Sequence, residues 1–475
     1  METKSVDVAV IGAGTAGLNA RREVEKAGKS FVLIEAGPYG TTCARVGCMP
    51  SKLLIAAADQ AHAMVQGPIF GVHPGEWRVD GEAVMERVRE ERDRFAGFVV
   101  EATERIPEAA RLRGRARFVD TTVLEVDDHT RVKADAVVIA TGSRPWIPPP
   151  FDGLEGRVDV NDDVFEWTDL PKSVAVAGTG IIGLELGQAL HRLGVEVAFF
   201  NPLDELGPFT DPALQAASRE VFGRELRLHL GVEDLAAENV DGGVRIAWTE
   251  DGRRHERTFE RVLAAAGRRP NLEALDLART GLPLDERGRP PWDPHTTQCG
   301  DAPVFMAGDV SGHRPLLHEA SDEGHIAGMN AARWPKVTAE IRRTSLAIAF
   351  THPQIAIVGA PFAELDDAYT AGGVSYADQG RARVMGVNAG LVRLYARCGT
   401  CTLVGAEMLA PGAEHMGQQI AWAVQQRLTV QDVLGMPFYH PVLEEGLRTG
   451  LRDLAKALKV RGGCRGQDLP RCPGD

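Results

Sequence analysis

No stretch of about 18 consecutive apolar residues occurs anywhere in the 475-residue chain, so no segment reads as a bilayer-spanning helix. Basic residues are in the minority. The 53 Lys and Arg stand against 66 Asp and Glu, a formal net charge of −13, which argues against a protein that grips a phosphate backbone through clustered cations. Cysteine is also scarce: 7 residues are too few for the disulfide framework of a secreted scaffold. Met1-Glu2-Thr3-Lys4 passes directly into an apolar strand, which leaves no room for a signal peptide. A reducing cytoplasm is therefore the expected location, with no membrane and no nucleic acid as partner. What is present is ordinary for a globular enzyme, 44% hydrophobic and 25% charged, and the length exceeds one hydrophobic core.

The pattern along the chain is that of an α/β protein. Val6–Ile11 is a short apolar strand that runs into Gly12-Ala13-Gly14-Thr15-Ala16-Gly17, followed by a helical pattern over 18–27. The next strand, Phe31-Val32-Leu33-Ile34, ends at Glu35. This is a βαβ unit with an acid at the end of its second strand. A charged stretch over 81–110 carries apolar residues at helical spacing and predicts one or two helices. The βαβ pattern then repeats: Val174–Ala177 leads into Gly178-Thr179-Gly180-Ile181-Ile182-Gly183, a helix to Arg192 and a strand over 195–200. Val304–Asp309 reads as a return to the first domain, and from about Thr351 alternating strands, a hairpin around Gly399 and amphipathic helices predict an α+β piece. The division expected is 1–152 with 282–350 for the first dinucleotide domain, 153–281 for the second, 351–460 for the last, and an unstructured tail over 461–475.

Each glycine of the two turns has a chemical reason. The first (Gly12, Gly178) permits the tight turn, the second (Gly14, Gly180) lets a pyrophosphate approach the backbone, and the third (Gly17, Gly183) lets helix pack on strand. The phosphates sit where unpaired N–H groups point out of a helix N-terminus. Glu35 would accept hydrogen bonds from a ribose hydroxyl pair. At the second turn the corresponding residue is Asn201, no Arg lies between Asn201 and Phe209, and Asp204 and Glu205 would repel a 2′-phosphate. NAD is expected there in preference to NADP. Cys43-Ala44-Arg45-Val46-Gly47-Cys48 sets two thiols with four residues between them, close beyond the first turn, where they can open and close as a disulfide. A helix N-terminus beside them would lower a thiol pKa. No second Cys or His pair stands nearby, so a metal is not expected.

With Met49-Pro50-Ser51-Lys52 after that pair, Ala140-Thr141-Gly142, Gly267-Arg268-Arg269-Pro270-Asn271, Ala307-Gly308-Asp309 and the late His440-Pro441-Val442-Leu443-Glu444-Glu445, the chain resembles the pyridine nucleotide–disulfide oxidoreductase family over nearly all of residues 5–460. The resemblance implies FAD at the first turn and nicotinamide at the second, in a homodimer whose last domain is the interface and whose active sites are shared across it. It implies that Cys43 is the thiol that exchanges with a substrate disulfide and Cys48 the thiol that faces the flavin. His440 would be the acid–base, arriving from the other subunit and oriented by Glu445. Lys52 and Glu185 resemble an ion pair beside the flavin, and Asp309 the acid that holds its ribityl chain. Thr42, Thr141, Gly142 and His318 would line the flavin, with Asn201 and Gly267 on the nicotinamide side.

Within the family, Ser51, the aliphatic Ile181 and His318 resemble the dihydrolipoamide dehydrogenase branch. That implies oxidation of a lipoyl-bearing carrier protein with NAD+ as acceptor. Three departures stand out: Val442 after His-Pro, Asn201 in place of an acid, and Thr41-Thr42 before Cys43 where Gly-Thr is typical. They point to a divergent branch whose lipoyl carrier lies outside a standard 2-oxo acid dehydrogenase complex, and Asn201 keeps open an NAD(P)H-driven reductase of another, low-molecular-weight disulfide or of mercuric ion. A non-catalytic flavin-binding sensor or scaffold is a reading from another class, disfavoured by the complete set Cys43, Cys48, His440 and Glu445. Cys398 and Cys401 read as two exposed cysteines at a hairpin tip, Cys299 as a loop residue, and Cys464 and Cys472 as tail thiols that fit a shuttle poorly.

Overall fold

The computed structural model describes residues 1–154 and 156–460; the expected tail and its Cys464 and Cys472 lie outside them. The chain forms two compact units. One comprises Met1–Leu53, Glu86–Trp146 and Gly267–Arg342, the other Leu54–Met85, Ile147–Ala266 and the chain from Arg343 onward. Among the described residues no helix is long and apolar enough to cross a membrane.

The first unit is built on one sheet. Val8-Ala9-Val10-Ile11 is apolar at every position and no residue of it is more than 4% exposed, as a strand covered on both faces requires. Its strand, Glu2–Ile11, lies parallel to Phe31–Glu35 on one side and Thr130–Ile139 on the other, with Ile11 level with Ile34 and Ile139. The strand Thr130–Ile139 is shared. Its first half pairs antiparallel with Val123–Val126 and its second half parallel with Val304–Met306. That last pairing is the return predicted from the sequence. It brings Gly12, Ala140 and Ala307 to the same carboxyl end of the sheet, where ligands of open α/β sheets bind. The helix Thr15–Lys26 packs on Leu317–Arg333 through small residues: a Cβ on Gly324 would stand 2.2 Å from the Ala16 carbonyl, and one on Gly328 2.3 Å from that of Ala20.

The second unit holds a five-stranded parallel sheet, in the order Arg227–Leu230, Glu196–Asn201, Ser173–Ala177, Arg261–Ala264, Val158–Val160, and an antiparallel three-stranded meander over 233–259. Its other half is a five-stranded antiparallel sheet with the helices Ala413–Gln425 and Glu445–Val460. The last helix buries Leu447, Leu451, Leu454 and Leu458, the 3.6-residue stripe of an amphipathic helix, each worth roughly 1.5–3 kcal/mol of burial. It lies directly on Tyr369–Ser375, where a Cβ at Gly372 would come within 2.3 Å of the Leu454 nitrogen. A two-way backbone clasp joins the two halves: Gln188 donates from Nε2 to the His352 carbonyl at 2.9 Å and accepts the His352 N–H on Oε1 at 2.8 Å.

The charged stretch over 81–110 is a single long helix, Gly81–Glu104, with a short 3-10 turn at Glu108–Ala110. The cysteines of the late hairpin correct the expectation. Cys401 is 1% exposed and disulfide-bonded, while Cys398 is a half-buried free thiol. Arg397 N–H takes the Thr402 carbonyl and Cys401 N–H the Arg397 carbonyl, and this tight turn rolls Cys401 back into the core. Cys299 is fully buried and forms a bridge with Trp292.

Candidate active site

At the first glycine turn, the backbone of Gly12 takes φ +109 and a Cβ there would meet the Ala140 carbonyl at 2.2 Å. Gly17 is excluded from growing by the Gly12 carbonyl at 1.9 Å. Gly14, by contrast, has nothing within 4 Å of where its Cβ would be, and it stands as N-cap of Thr15–Lys26 with no side chain capping the helix. The turn thus leaves open space in front of free N–H groups, the condition a pyrophosphate needs. Glu35 closes it from below: its Oε2 accepts Ala13 N–H and its Oε1 accepts Gly37 N–H, both at 2.7 Å. Each oxygen keeps a lone pair for a ribose hydroxyl.

Farther along the same unit, Thr42–Val46 forms a short helix that carries Cys43, and Cys48 opens the helix Cys48–Gln66. Gly47 allows the two to fold back, since a Cβ there would stand 3.2 Å from Cys43 Cα. Both cysteines are free thiols in this structure, Cys48 exposed and Cys43 partly buried. A lowered pKa was expected for the pair from the helix N-terminus; Cys43 moves the other way. Its hydrogen bond to Cys48 drives the thiol up, burial and the Cys48 charge add to this, and Lys52 pulls weakly back. Cys43 therefore holds its proton more tightly than an isolated thiol, with Cys48 as its hydrogen-bond partner. Ser51 Oγ donates to the Cys48 carbonyl at 3.0 Å and accepts from Lys52 Nζ at 3.2 Å, tying the lysine to the same helical turn. Thr41, just before, holds φ 59 and ψ 152, a backbone at home with glycine and costing a β-branched residue on the order of 1–3 kcal/mol.

The second segment of the first unit supplies the rest. Thr141 and Asn271 tie crosswise, Thr141 Oγ1 donating to the Asn271 carbonyl at 2.7 Å and Asn271 Nδ2 to the Thr141 carbonyl at 3.0 Å. Gly142 turns the chain there with φ +66. Asp309 accepts Ser143 Oγ–H at 2.9 Å, and Arg268 Nε steadies that hydroxyl at 2.8 Å. Glu323, fully buried, accepts Gly308 N–H at 2.7 Å and pairs with Arg342 at 3.0 Å, so it fixes the residue before Asp309. This support was not read from the sequence. His318 lies on the exposed side of the first turn of Leu317–Arg333.

In the second unit the turn Gly178–Gly183 repeats the first: a Cβ on Gly183 would strike the Gly178 carbonyl at 2.4 Å, and Gly180 is open. Gly267 belongs with the first unit, where its carbonyl accepts Trp146 N–H at 3.0 Å. Glu185 is buried and accepts Phe350 N–H at 2.7 Å. Asn201 does not face outward as an acid would. Its Nδ2 donates to Thr179 Oγ1 at 2.6 Å and to the Glu205 carbonyl at 3.1 Å, and its Oδ1 accepts Leu203 N–H. Arg219, from the helix Pro212–Gly223, reaches back to this loop and pairs with Asp204 at 2.9 Å. A search of residues 201–209 alone misses it.

His440 and Glu445 meet at the start of the last helix. His440 Nδ1 donates to Glu445 Oε1 at 3.0 Å, and Glu445 Oε2 accepts Val442 N–H at 3.2 Å. Burial works to raise the Glu445 carboxyl, but these hydrogen bonds outweigh it and hold the group below its usual value. The loop is anchored by Tyr376, donating to the Leu443 carbonyl, and by Gln379, donating to that of Val442. With Nδ1 engaged, Nε2 is free to exchange a proton, and the side chain is 80% exposed on its own protomer. Among the described residues no group of three or more His, Cys, Asp or Glu is placed to hold a metal.

Residues 6–324 match the family described as Pyridine nucleotide-disulphide oxidoreductase, and residues 346–450 its dimerisation domain. A dihydrolipoyl dehydrogenase of Halobacterium salinarum is 30% identical over 456 residues, 92% of this chain and 94% of that protein. One from Thermus scotoductus is 30% identical over 469 residues, 95% and 98% of the two chains. Among solved structures, LpdA from Mycobacterium tuberculosis superposes with TM-score 0.79 at 26% identity, covering 94% of this chain and 99% of that one. The HOCl-induced flavoprotein disulfide reductase RclA from Escherichia coli, in its Cu(II) complex, superposes with TM-score 0.79 over 94% and 99%; at 20% identity it speaks for the fold alone.

Proposed function

This chain belongs to the pyridine nucleotide–disulphide oxidoreductase family, whose cofactors are FAD and NAD(P)H, and from that premise we propose that it is a dihydrolipoyl dehydrogenase linked to NAD+. The observation that carries the dithiol chemistry is the pair Cys43 and Cys48, hydrogen-bonded to each other at the joint between two helices. The lipoyl substrate is supported by the names of relatives matched over nearly their whole length. The dimerisation domain supports a homodimer, and in it we place His440 of the partner subunit at the dithiol.

In the oxidised enzyme Cys43 and Cys48 share a disulfide. His440 takes the proton of one dihydrolipoyl thiol on Nε2 while Glu445 steadies the cation at Nδ1. The thiolate attacks Cys43 Sγ, the Cys43–Cys48 bond breaks, and the pair of electrons leaves on Cys48. His440 releases that proton to solvent and takes the proton of the second dihydrolipoyl thiol; this sulfur attacks the first lipoyl sulfur, closing the lipoyl disulfide, and Cys43 leaves as a thiolate that receives the second proton from His440. Lys52 offsets the charge left on Cys48. FAD, held there, would supply the two-electron acceptor for this dithiol and the hydride donor to NAD+. In this reading Gly12, Gly14, Gly17, Glu35, Thr42, Thr141, Gly142, Asp309 and His318 hold the flavin, and Gly178, Gly180, Gly183 and Gly267 the nicotinamide nucleotide.

A reductase running from NAD(P)H to another disulfide or to mercuric ion is the second reading, favoured by one feature: Asn201 offers no carboxylate to a ribose. Anaerobic titration with NADH, then dihydrolipoamide oxidation with NAD+ and with NADP+, separates the two. Turnover with dihydrolipoamide and NAD+, lost in Cys48→Ser, supports the dehydrogenase. Reduction of the flavin with no dihydrolipoamide turnover overturns it.

A further inference from the structure

The loop that follows the strand Glu196–Asn201 is where a dinucleotide bound at Gly178–Gly183 sets its adenosine ribose, and its side chains are disposed unusually. Both amide hydrogens of Asn201 are spent, on Thr179 Oγ1 and on the Glu205 carbonyl, while Thr179 Oγ1 donates to that same carbonyl at 2.8 Å. Gly207 N–H adds a bond to the Thr179 carbonyl at 2.9 Å. Asn201 thus clasps the loop to the glycine turn and has no N–H left for a ligand. The groups that remain exposed on the loop are Asp204 and Glu205, and Asp204 is the one paired with Arg219. Arg219 Nη1 reaches the Asp204 carboxylate and Nη2 its backbone carbonyl, while Nε is buried without an acceptor among the described residues. Asp204 alone fixes this guanidinium.

We propose that Asp204 is the coenzyme selector of this protein, acting twice: its charge repels a 2′-phosphate, and its grip withholds from that phosphate the arginine that would otherwise bind it. The inference rests on the nucleotide binding at Gly178–Gly183 assigned above and adds the residue that decides which nucleotide. Arg219 is a latent phosphate ligand. Its two Nη atoms fork between the carboxylate and the backbone carbonyl of Asp204, it comes from the helix that follows the loop, and among the described residues Asp204 is its one ion-pair partner.

The test uses the full-length flavoprotein and two probes that need no dithiol, 5′-AMP and 2′,5′-ADP, titrated by calorimetry. Wild type is expected to bind 5′-AMP in preference. Asp204→Ala should shift the ratio of the two affinities toward 2′,5′-ADP by at least about tenfold, the size of one charge-assisted hydrogen bond. NADPH should gain on NADH to a similar degree in flavin reduction. Arg219→Ala in the Asp204→Ala background should return the ratio toward that of wild type, with 5′-AMP binding as the measure that the domain is intact. Equal ratios in wild type and Asp204→Ala overturn the proposal, as does a gain that survives in the double variant. Failure of wild type to bind either probe overturns it too. Neither probe touches the dithiol, so a failed lipoamide assay leaves this result standing and the reverse is equally true.

Discussion

Acid should weaken the second unit through one half-buried imidazole. His352 is pushed from 6.5 down to about 4, by burial first and then by the positive Arg192 and by His62, whose ring lies 5.6 Å away. A base depressed in the folded state binds its proton better once unfolded. Its neutral form therefore contributes stability that is complete above about 6.5 and drains away as pH falls through about 4. A tenfold difference in proton affinity is about 1.4 kcal/mol, so the loss amounts to about 2.5 kcal/mol by pH 4.5 and about 3 kcal/mol below pH 4. Glu225 does not account for it. Burial raises that carboxyl, but hydrogen bonds from Arg192 and Gln188 outweigh the burial, so it stays ionised across the window. His352→Gln isolates the effect, because the Gln188 clasp uses only the His352 backbone and survives the change. Urea unfolding followed by tryptophan fluorescence at about pH 7.5, 6.5, 5.5 and 4.5 compares the two proteins across this window. The variant should start less stable, by roughly 1–2 kcal/mol for the altered packing, and lose about 2.5 kcal/mol less than wild type on acidification. Curves that run parallel from neutral to acid would refute the assignment.

Three other changes act on named contacts. Gly17→Ala sets a Cβ 1.9 Å from the Gly12 carbonyl, so the purified protein should arrive largely without flavin, read as its visible absorbance against that at 280 nm; a fully yellow variant contradicts the reading of the turn. Glu445→Gln removes the anion that steadies a protonated His440, and dihydrolipoamide turnover should fall roughly 10–100-fold while NADH still reduces the flavin at the parental rate. An unchanged turnover would detach this pair from proton transfer. Glu323→Ala leaves the buried Gly308 N–H without an acceptor, a loss of about 1–3 kcal/mol, and flavin fluorescence should appear at a lower temperature than in wild type; coincident release curves would show that Glu323 does not support Asp309.

Much of this was legible in the sequence because the features are local. The two glycine turns, their strands and the acid at Glu35 follow from spacing alone, and the structure pairs them as read. His440 and Glu445 are five residues apart at the mouth of a helix, so their meeting was equally readable. The rest depends on distant chain. The rise of the Cys43 thiol comes from its hydrogen bond to Cys48 and from burial, which a helix-dipole argument applied to one sulfur gets in the wrong direction. Cys401 looked exposed because hairpin tips are, yet the turn carries it into the core. Asn201 marked a missing acid, but its inward clasp and the arrival of Arg219 from the following helix appear only once the loop is folded.

The ribbon in which Arg268–Pro270 runs antiparallel to Ser143–Pro145 has a consequence for how the gene can change. Trp146 N–H meets the Gly267 carbonyl, so the chain leaves the first sheet and re-enters it at one point. Everything between, the whole parallel sheet and its meander, is bracketed like a cassette. A short linker across that junction would preserve the register of every strand in the first sheet, and a foreign module could be spliced in at the same place. Residues inside the cassette can thus drift, or be traded wholesale, with the strand order of the first unit left as it is.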